Sequence, residues 1–245
     1  MKNTILVVGL GEIGKPLMEI IEERFDVVGI DIAPVEFHGK CNVLHICFPF
    51  QIPNFVGVCV EYINKYQPQL TVINSTVTPG TTRAIFERTG TAIAYSPVRG
   101  KHIKMRQELL HYAKFVGGID EESSQKAAEH FESVGMKVRI LSSPEATELA
   151  KLTETTYFGV LIAWAQEVER YCDQLSVSYD EIVSFYDEIG YLPPVKFFPG
   201  IIGGHCVMPN IEILRSVFNS KMLDAVEDSN VLKEKREAKA EVIVP

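Results

Sequence analysis

The sequence predicts an α/β protein: a doubly wound parallel sheet followed by a smaller all-α domain with a long spine helix. Three observations carry that expectation. A glycine-punctuated turn joins an apolar run to a helical pattern at the start of the chain. Strand and helix patterns then alternate as far as residue 141. Beyond Ser143-Pro144 the pattern turns helical, broken by a glycine- and proline-rich stretch at residues 190–209. The expected division is therefore residues 1–143 for the sheet domain and 144–245 for the helical one.

Residues 4–8 form a continuous apolar, β-branched run, the pattern of a strand buried on both faces. Gly9, Gly11 and Gly14 follow at G-x-G-x-x-G spacing, and residues 15–24 have helical periodicity. A second apolar run, 27–30, ends at Asp31. Gly9 permits a tight turn, Gly11 lets a pyrophosphate approach the backbone, and Gly14 lets helix and strand pack closely. Glu12 and Ile13 lie in the same turn, at a helix N-terminus whose free N–H groups and dipole favour phosphate. Asp31 would accept hydrogen bonds from the adenosine ribose, which favours NAD over NADP, whose 2′-phosphate it repels. Strand, turn, helix and acid together make a Rossmann-type dinucleotide turn, and NAD is the expected cofactor.

The remaining elements follow in order. Residues 43–48 are a strand ended by Pro49, and 55–66 a helix with one apolar face. Residues 70–73 are a strand running into Asn74-Ser75-Thr76, with Pro79-Gly80 opening the turn into a short helix, 81–88. Strands are expected at 92–95, 114–116 and 137–141, and an amphipathic helix at 121–134. Pro144 suits a first helical turn and Ser143 an N-cap. From residue 145 to about 174 only Gly159 interrupts the pattern, giving roughly 45 Å of helix. Its apolar positions (Leu149, Leu152, Tyr157, Val160, Leu161, Trp164, Val168) cover more than one stripe, so a domain spine or a homodimer interface through residues 145–175 is expected. Residues 179–189 and 211–223 read as further helices, and 227–245 as a charged end that frays unless Val242-Ile243-Val244 docks.

Composition narrows the function. A 245-residue chain with 46% hydrophobic and 23% charged residues is an ordinary globular protein. Its net charge of −8 argues against affinity for nucleic acid or anionic membranes. Five scattered cysteines without a C-x-x-C pair suggest reduced thiols in the cytoplasm and no metal site. The first apolar run leads straight into the glycine turn, so no signal peptide fits, and no apolar stretch reaches transmembrane length.

Ligands of an open parallel sheet bind beyond the carboxyl ends of its strands. Three loops stand out. Residues 74–82 carry five hydroxyls, among them Ser75 and Thr76, which with Pro49 join the expected cofactor contacts. Residues 96–102 carry Arg99, Lys101 and His102. Residues 198–210 set His205 beside Cys206 on a glycine-freed backbone. Arg99, Lys101, His102 and His205 suit a carboxylate or phosphate of a small substrate. On the residues alone, Cys206 is either a reactive thiol or a small buried hydrophobe.

The chain resembles the nucleotide-sugar dehydrogenases, also called the UDP-glucose/GDP-mannose dehydrogenase family. Residues 8–17 look like that family's opening turn, and 75–82 resemble its S-T-V-x-P-G-T-T loop. Glu148-Leu149-Ala150-Lys151-Leu152 opens the long helix as the family does. Residues 199–206 resemble its P-G-x-G-x-G-G-x-C segment, with isoleucine at one glycine. The resemblance implies an NAD-dependent oxidation of CH–OH. By it, Cys206 traps an aldehyde, Lys151 stabilises charge on the reacting oxygen, and Thr76 sits beside the nicotinamide or positions a catalytic water. The departures are at catalytic positions: Asn210 replaces an aspartate, Thr155 an asparagine and Val98 a glutamate. The family's second α/β domain, which grips the nucleotide diphosphate, has no counterpart in the about thirty residues after Leu214. Two alternatives stand beside this reading. One is a two-electron enzyme like the β-hydroxyacid dehydrogenases; the other is a non-catalytic NAD-binding regulatory or assembly dimer.

Overall fold

The computed structural model describes residues 4–32, 35–100, 102–190, 197–204 and 206–243, with backbone only at 102 and 240–243. The chain divides into two compact units, Met1–Lys151 and Leu152–Pro245.

The first unit is built on seven strands: β1 (Thr4–Val8), β2 (Asp26–Ile30), β3 (Cys41–Ile46), β4 (Leu70–Ile73), β5 (Ile93–Tyr95), β6 (Lys114–Gly118) and β7 (Val138–Ile140). They lie in the order β2-β1-β3-β4-β5-β6-β7. Every pairing is parallel except β5 with β6, where Tyr95 faces Gly117. Alternate side chains serve opposite faces. Ile5, Val7, Val43, Val72 and Ala94 pack under α1 (Gly14–Ile21), α4 (Met105–His111) and α5 (Glu121–Ser133). Leu6, Val8, Leu44, Ile46, Ile73 and Tyr95 pack under α2 (Phe55–Tyr66) and α3 (Thr81–Thr89). Both faces are covered, which is why the strands read as unbroken apolar runs.

The helix α6 (Pro144–Leu175) begins in the first unit and supplies the spine of the second. There follow α7 (Tyr179–Ser184) with a 3-10 turn at Phe185–Glu188, α8 (Val207–Arg215) and α9 (Lys221–Ile243). Gly159 on α6 faces α8 and α9 so closely that a Cβ would sit 2.8 Å from Val207 Cγ1, with Ile211 and Val226 next. Among the described residues no helix is long and apolar enough to cross a membrane.

Three expectations are corrected. No helix is expected from the sequence between the strands at 92–95 and 114–116, yet α4 lies there, anchored to the core by Met105 and Leu109 with Leu110 packed beside them. The helix expected at 211–223 starts earlier, at Val207, and stops at Arg215. The end expected to fray is instead α9, helical to Ile243. It holds because its charges have partners: Lys233 donates to Glu169 at 2.8 Å and Arg236 pairs with Asp173. Val226 and Asn230 are buried beneath them.

Candidate functional site

The chain leaves β1 for β2 on one side and takes up β3 on the other, so the crevice above β1 and β3 is the point where the winding reverses. Two glycines there are obligatory. Gly9 has φ +91°, and a Cβ on it would lie 2.6 Å from the Phe48 amide nitrogen; on Gly14 it would lie 1.8 Å from the Gly9 carbonyl oxygen. Gly11 is the opposite case, exposed and with nothing within 4 Å of where a Cβ would stand, so its backbone is open to a ligand. The first turn of α1 holds no acidic residue, and its N-cap residue Ile13 makes no side-chain cap. The Lys15 amide donates to the Gly11 carbonyl at 3.2 Å and Pro16 has no N–H, so the Ile13 and Gly14 amides and the helix dipole are what the turn presents to an anion. Glu12 is exposed beside Gly11, Asp31 is exposed just past β2, and Pro49 is exposed past β3.

The hydroxyl-rich loop after β4 turns out to be mostly self-supporting. Ser75 is buried and donates to the Phe48 carbonyl at 2.5 Å, tying this loop to the one after β3. Thr78 and Thr81 share a hydrogen bond of 2.9 Å. Thr82 donates through both its amide (2.9 Å) and its hydroxyl (2.7 Å) to Glu148, which also accepts from the Gly80 amide at 2.7 Å. Glu148 thus caps α3 from α6. Burial raises its pKa while these three donors lower it. Thr76, half-buried, is the hydroxyl of the five that makes no hydrogen bond with another described residue. Lys151 lies one helical turn beyond Glu148 on α6 and is half-buried.

Sequence reasoning missed a buried polar chain under this edge. Lys114 donates to the carbonyls of Ser96 (2.8 Å) and Pro97 (3.0 Å) and to Asn74 Oδ1 (3.4 Å). The Asn74 amide meets His45 Nδ1 at 3.1 Å, and His45 Nε2 meets His130 Nε2 at 2.9 Å. Burial holds both imidazoles neutral, His130 down to about 4 and His45 well below its ordinary range. No signal in the sequence marks these groups, since lysine at a strand start and histidine on a helix normally read as solvated. Val98 is buried. Arg99 lays its guanidinium over the rings of Tyr112 (5.6 Å) and Phe115 (5.4 Å). His102 opens a 3-10 turn, and Lys101 lies outside the described residues.

In the second unit Cys206 occupies the N-cap position of α8 and is partly exposed. The other four cysteines are buried, and burial pushes the Cys41 and Cys47 thiols up to about 12. The segment leading to Cys206 is held by two buried amides. Gln166 donates to the Gly200 carbonyl at 2.7 Å, and Asn230 accepts from the Ile202 amide at 2.6 Å. Asn210 and Thr155, two of the three departures from the family pattern, bond to each other: Asn210 Nδ2 donates to Thr155 Oγ1 at 2.9 Å. His205 lies outside the described residues. The structure thus gathers Gly9, Gly11, Glu12, Ile13, Gly14, Ser75 and Thr76 along one sheet edge of the first unit. It sets Cys206, Asn210 and Thr155 together in the second.

Comparison with known proteins agrees with this geometry. Residues 145–232 match the UDP-glucose/GDP-mannose dehydrogenase family, central domain. The UDP-N-acetyl-D-mannosamine dehydrogenase of Methanocaldococcus jannaschii is 26% identical, over 83% of this chain and 59% of its own length. That of Pyrococcus horikoshii is 31% identical, over 86% of this chain and 64% of its own. The chain therefore spans about six-tenths of the length of these relatives. The solved UDP-D-ManNAc dehydrogenase of Pyrococcus horikoshii superposes with a TM-score of 0.81 at 22% identity, covering 98% of this chain and 70% of that one. A 3-hydroxyisobutyrate dehydrogenase from Mycobacterium tuberculosis has the same fold, with a TM-score of 0.72 and 94% of its chain covered.

Proposed function

Because residues 145–232 match the central domain of the UDP-glucose/GDP-mannose dehydrogenase family and the chain is similar along most of its length to UDP-N-acetyl-D-mannosamine dehydrogenases, we propose that it is an NAD-dependent dehydrogenase acting on the CH–OH group of a nucleotide sugar. The observation that carries this reading is the crevice above β1 and β3. There Gly11 offers open backbone in front of a helix N-terminus that carries no acid of its own. A pyrophosphate fits that cradle, with Glu12 and Ile13 flanking it and Asp31 placed past β2 for a ribose. Pro49, Ser75 and Thr76 border the nicotinamide end, and the unengaged Thr76 hydroxyl is the group that meets cofactor or water. NAD, when bound, supplies the hydride acceptor.

The chain's own residues handle the rest. Lys151 stabilises the substrate oxygen as its proton leaves. Cys206 adds its sulfur to the aldehyde carbon while the thiol proton passes to the carbonyl oxygen, giving a thiohemiacetal. Arg99, Lys101, His102 and His205 are the groups assigned to the anionic part of the substrate. In this reading residues 1–143 bind the cofactor and 144–245 form the helical, dimerisation-type domain. A second copy covers α6, whose exposed Tyr157, Trp164 and Tyr171 recur every seven residues and end at Leu175. The reduced thiols suit the cytoplasm.

A second reading, a single two-electron oxidation, is favoured by the Asn210–Thr155 pair: an amide bonded to a hydroxyl takes no proton from a hydrolytic water. One assay decides. The protein with NAD is offered UDP-N-acetylhexosamines and small hydroxy acids, alongside Cys206→Ala. Two NADH per nucleotide sugar, abolished in the variant, is the expected result. One NADH per substrate, retained in the variant, supports the two-electron reading. NAD binding without turnover of any substrate overturns both and leaves the cofactor-binding dimer.

A further inference from the structure

The loops that follow β4 and β5 meet at one buried ammonium. Lys114 opens β6, which runs antiparallel to β5, so its side chain arrives at the carboxyl edge of the parallel strands. Its three acceptors, the carbonyls of Ser96 and Pro97 and the Asn74 side chain, equal the three N–H bonds of a protonated lysine. The ring of Phe131 lies 4.9 Å from the nitrogen, and the residue is 3% exposed. No carboxylate pairs with it among the described residues. A lysine in that setting is costly for packing alone, since an apolar chain of the same length would fill the space without desolvating a charge.

On the reading of the site given above, we propose that Lys114 is a positioning residue: it splints the Thr76 loop to the Arg99 loop, so that the two move as one body. Asn74 ends the first loop's strand, and Ser96 and Pro97 begin the second. Because Asn74 Oδ1 receives Lys114, its amide nitrogen is turned toward His45 Nδ1. That leaves His45 Nε2 to donate to His130 Nε2, and the lysine orients the whole buried chain.

The groups around Lys114 are His45 and Cys47 from β3 and its end, Asn74 from β4's end, Phe131 from α5 and Lys151 from α6, with His130 of α5 one hydrogen bond further away, behind His45. Burial draws its pKa down to about 7, the Cys47 thiol opposing and the Lys151 charge adding to the fall. The neutral amine has two N–H bonds for three acceptors, so deprotonation releases one contact of the splint.

Hydrogen–deuterium exchange on the full chain reads this without any turnover. In Lys114→Met, exchange is expected to rise about tenfold in both 75–80 and 97–100, the order of a lost charge-assisted hydrogen bond, with α2 unchanged. Asn74→Ala should loosen the first segment alone. The Lys114→Met protein should also bind NAD about tenfold more weakly. Should Lys114→Met fail to fold, the native chain decides: both segments should loosen together across one transition near pH 7, after correction for intrinsic exchange. Wild-type exchange in either loop of Lys114→Met, unchanged NAD affinity, or loops that respond to pH separately or not at all would overturn the proposal. Joint loosening in a protein that oxidises no nucleotide sugar would leave the splint standing and sink the dehydrogenase reading instead.

Discussion

The glycine turn after β1 and the glycine-rich segment before Cys206 both expose backbone, and they are held in opposite ways. Between Gly9 and Gly14 the shape comes from absent side chains: two positions have no room for a Cβ, and the backbone closes on itself and on Phe48. Between Gly200 and Cys206 the shape comes from side chains far away in sequence, Gln166 on α6 and Asn230 on α9. Gly203 and Gly204 are open, with nothing within 4 Å of an added Cβ. A site made by local sterics is fixed as soon as its strand and helix form. A site made by distant amides depends on the whole helical unit, and its stability is that unit's.

The sharpest way to break this contrast is to fill the first turn. Gly14→Ala drives a methyl into the Gly9 carbonyl, and a loss of about 4 kcal/mol is expected, the size of the severe single-residue effects. Urea unfolding and NAD titration read it; a stable protein with native NAD affinity would show that the turn is not sterically fixed. By contrast, Gly203→Ala should cost under about 0.5 kcal/mol, since that position is open.

Acid should separate the two units. His130 is held at about 4 against an ordinary 6.5, so the folded state stays neutral where the unfolded chain takes a proton. Its stabilising contribution is complete above pH 6.5 and is lost as pH falls to about 4, and His45 acts in the same direction. The first unit should lose about 3 kcal/mol over that window from His130 alone. The only histidine of the second unit is His205. Thermal melts from pH 7 to 4, with Trp164 reporting on the second unit, should show the first unit yielding first. Simultaneous loss would mean that the two units are not energetically distinct.

Asn230→Ala sharpens the comparison from the other side. It leaves the Ile202 amide buried without an acceptor, at about 2 kcal/mol. Alkylation of Cys206 should speed up several-fold while NAD affinity stays native; an unchanged alkylation rate would show that the distant amides do not shape the segment. A smaller loss is expected from Thr155→Val, about 1 kcal/mol from one hydrogen bond to Asn210, read by denaturation.

Much of the first unit was legible because it is written locally. The bounds of α2 and β4 follow from a 3.6-residue period and from a short apolar run between polar turns, and the structure agrees with both. Helix α4 was not legible, because its seven residues carry only one i, i+4 apolar pair and Leu110 beside it, too short a run to mark a helix among charged neighbours. Nor was α9, whose charges read as a solvated tail until Glu169 and Asp173 on α6 supply their partners. In the candidate site the five hydroxyls were visible as a cluster, but their division of labour was not. Ser75, Thr78, Thr81 and Thr82 build the loop, and Thr76 is left over.

The sequence by itself determined the dinucleotide turn, the winding of the sheet around it and the position of Cys206 in a glycine-rich segment. Each of these depends on backbone sterics and on periodicities within a few residues. Only the tertiary structure decided which polar groups are buried and what they hold: Glu148 capping α3, Asn210 bonded to Thr155, and Lys114 between two loops. The cost of burying a polar group is set by the partners that meet it, and those partners come from strands and helices brought together only by folding.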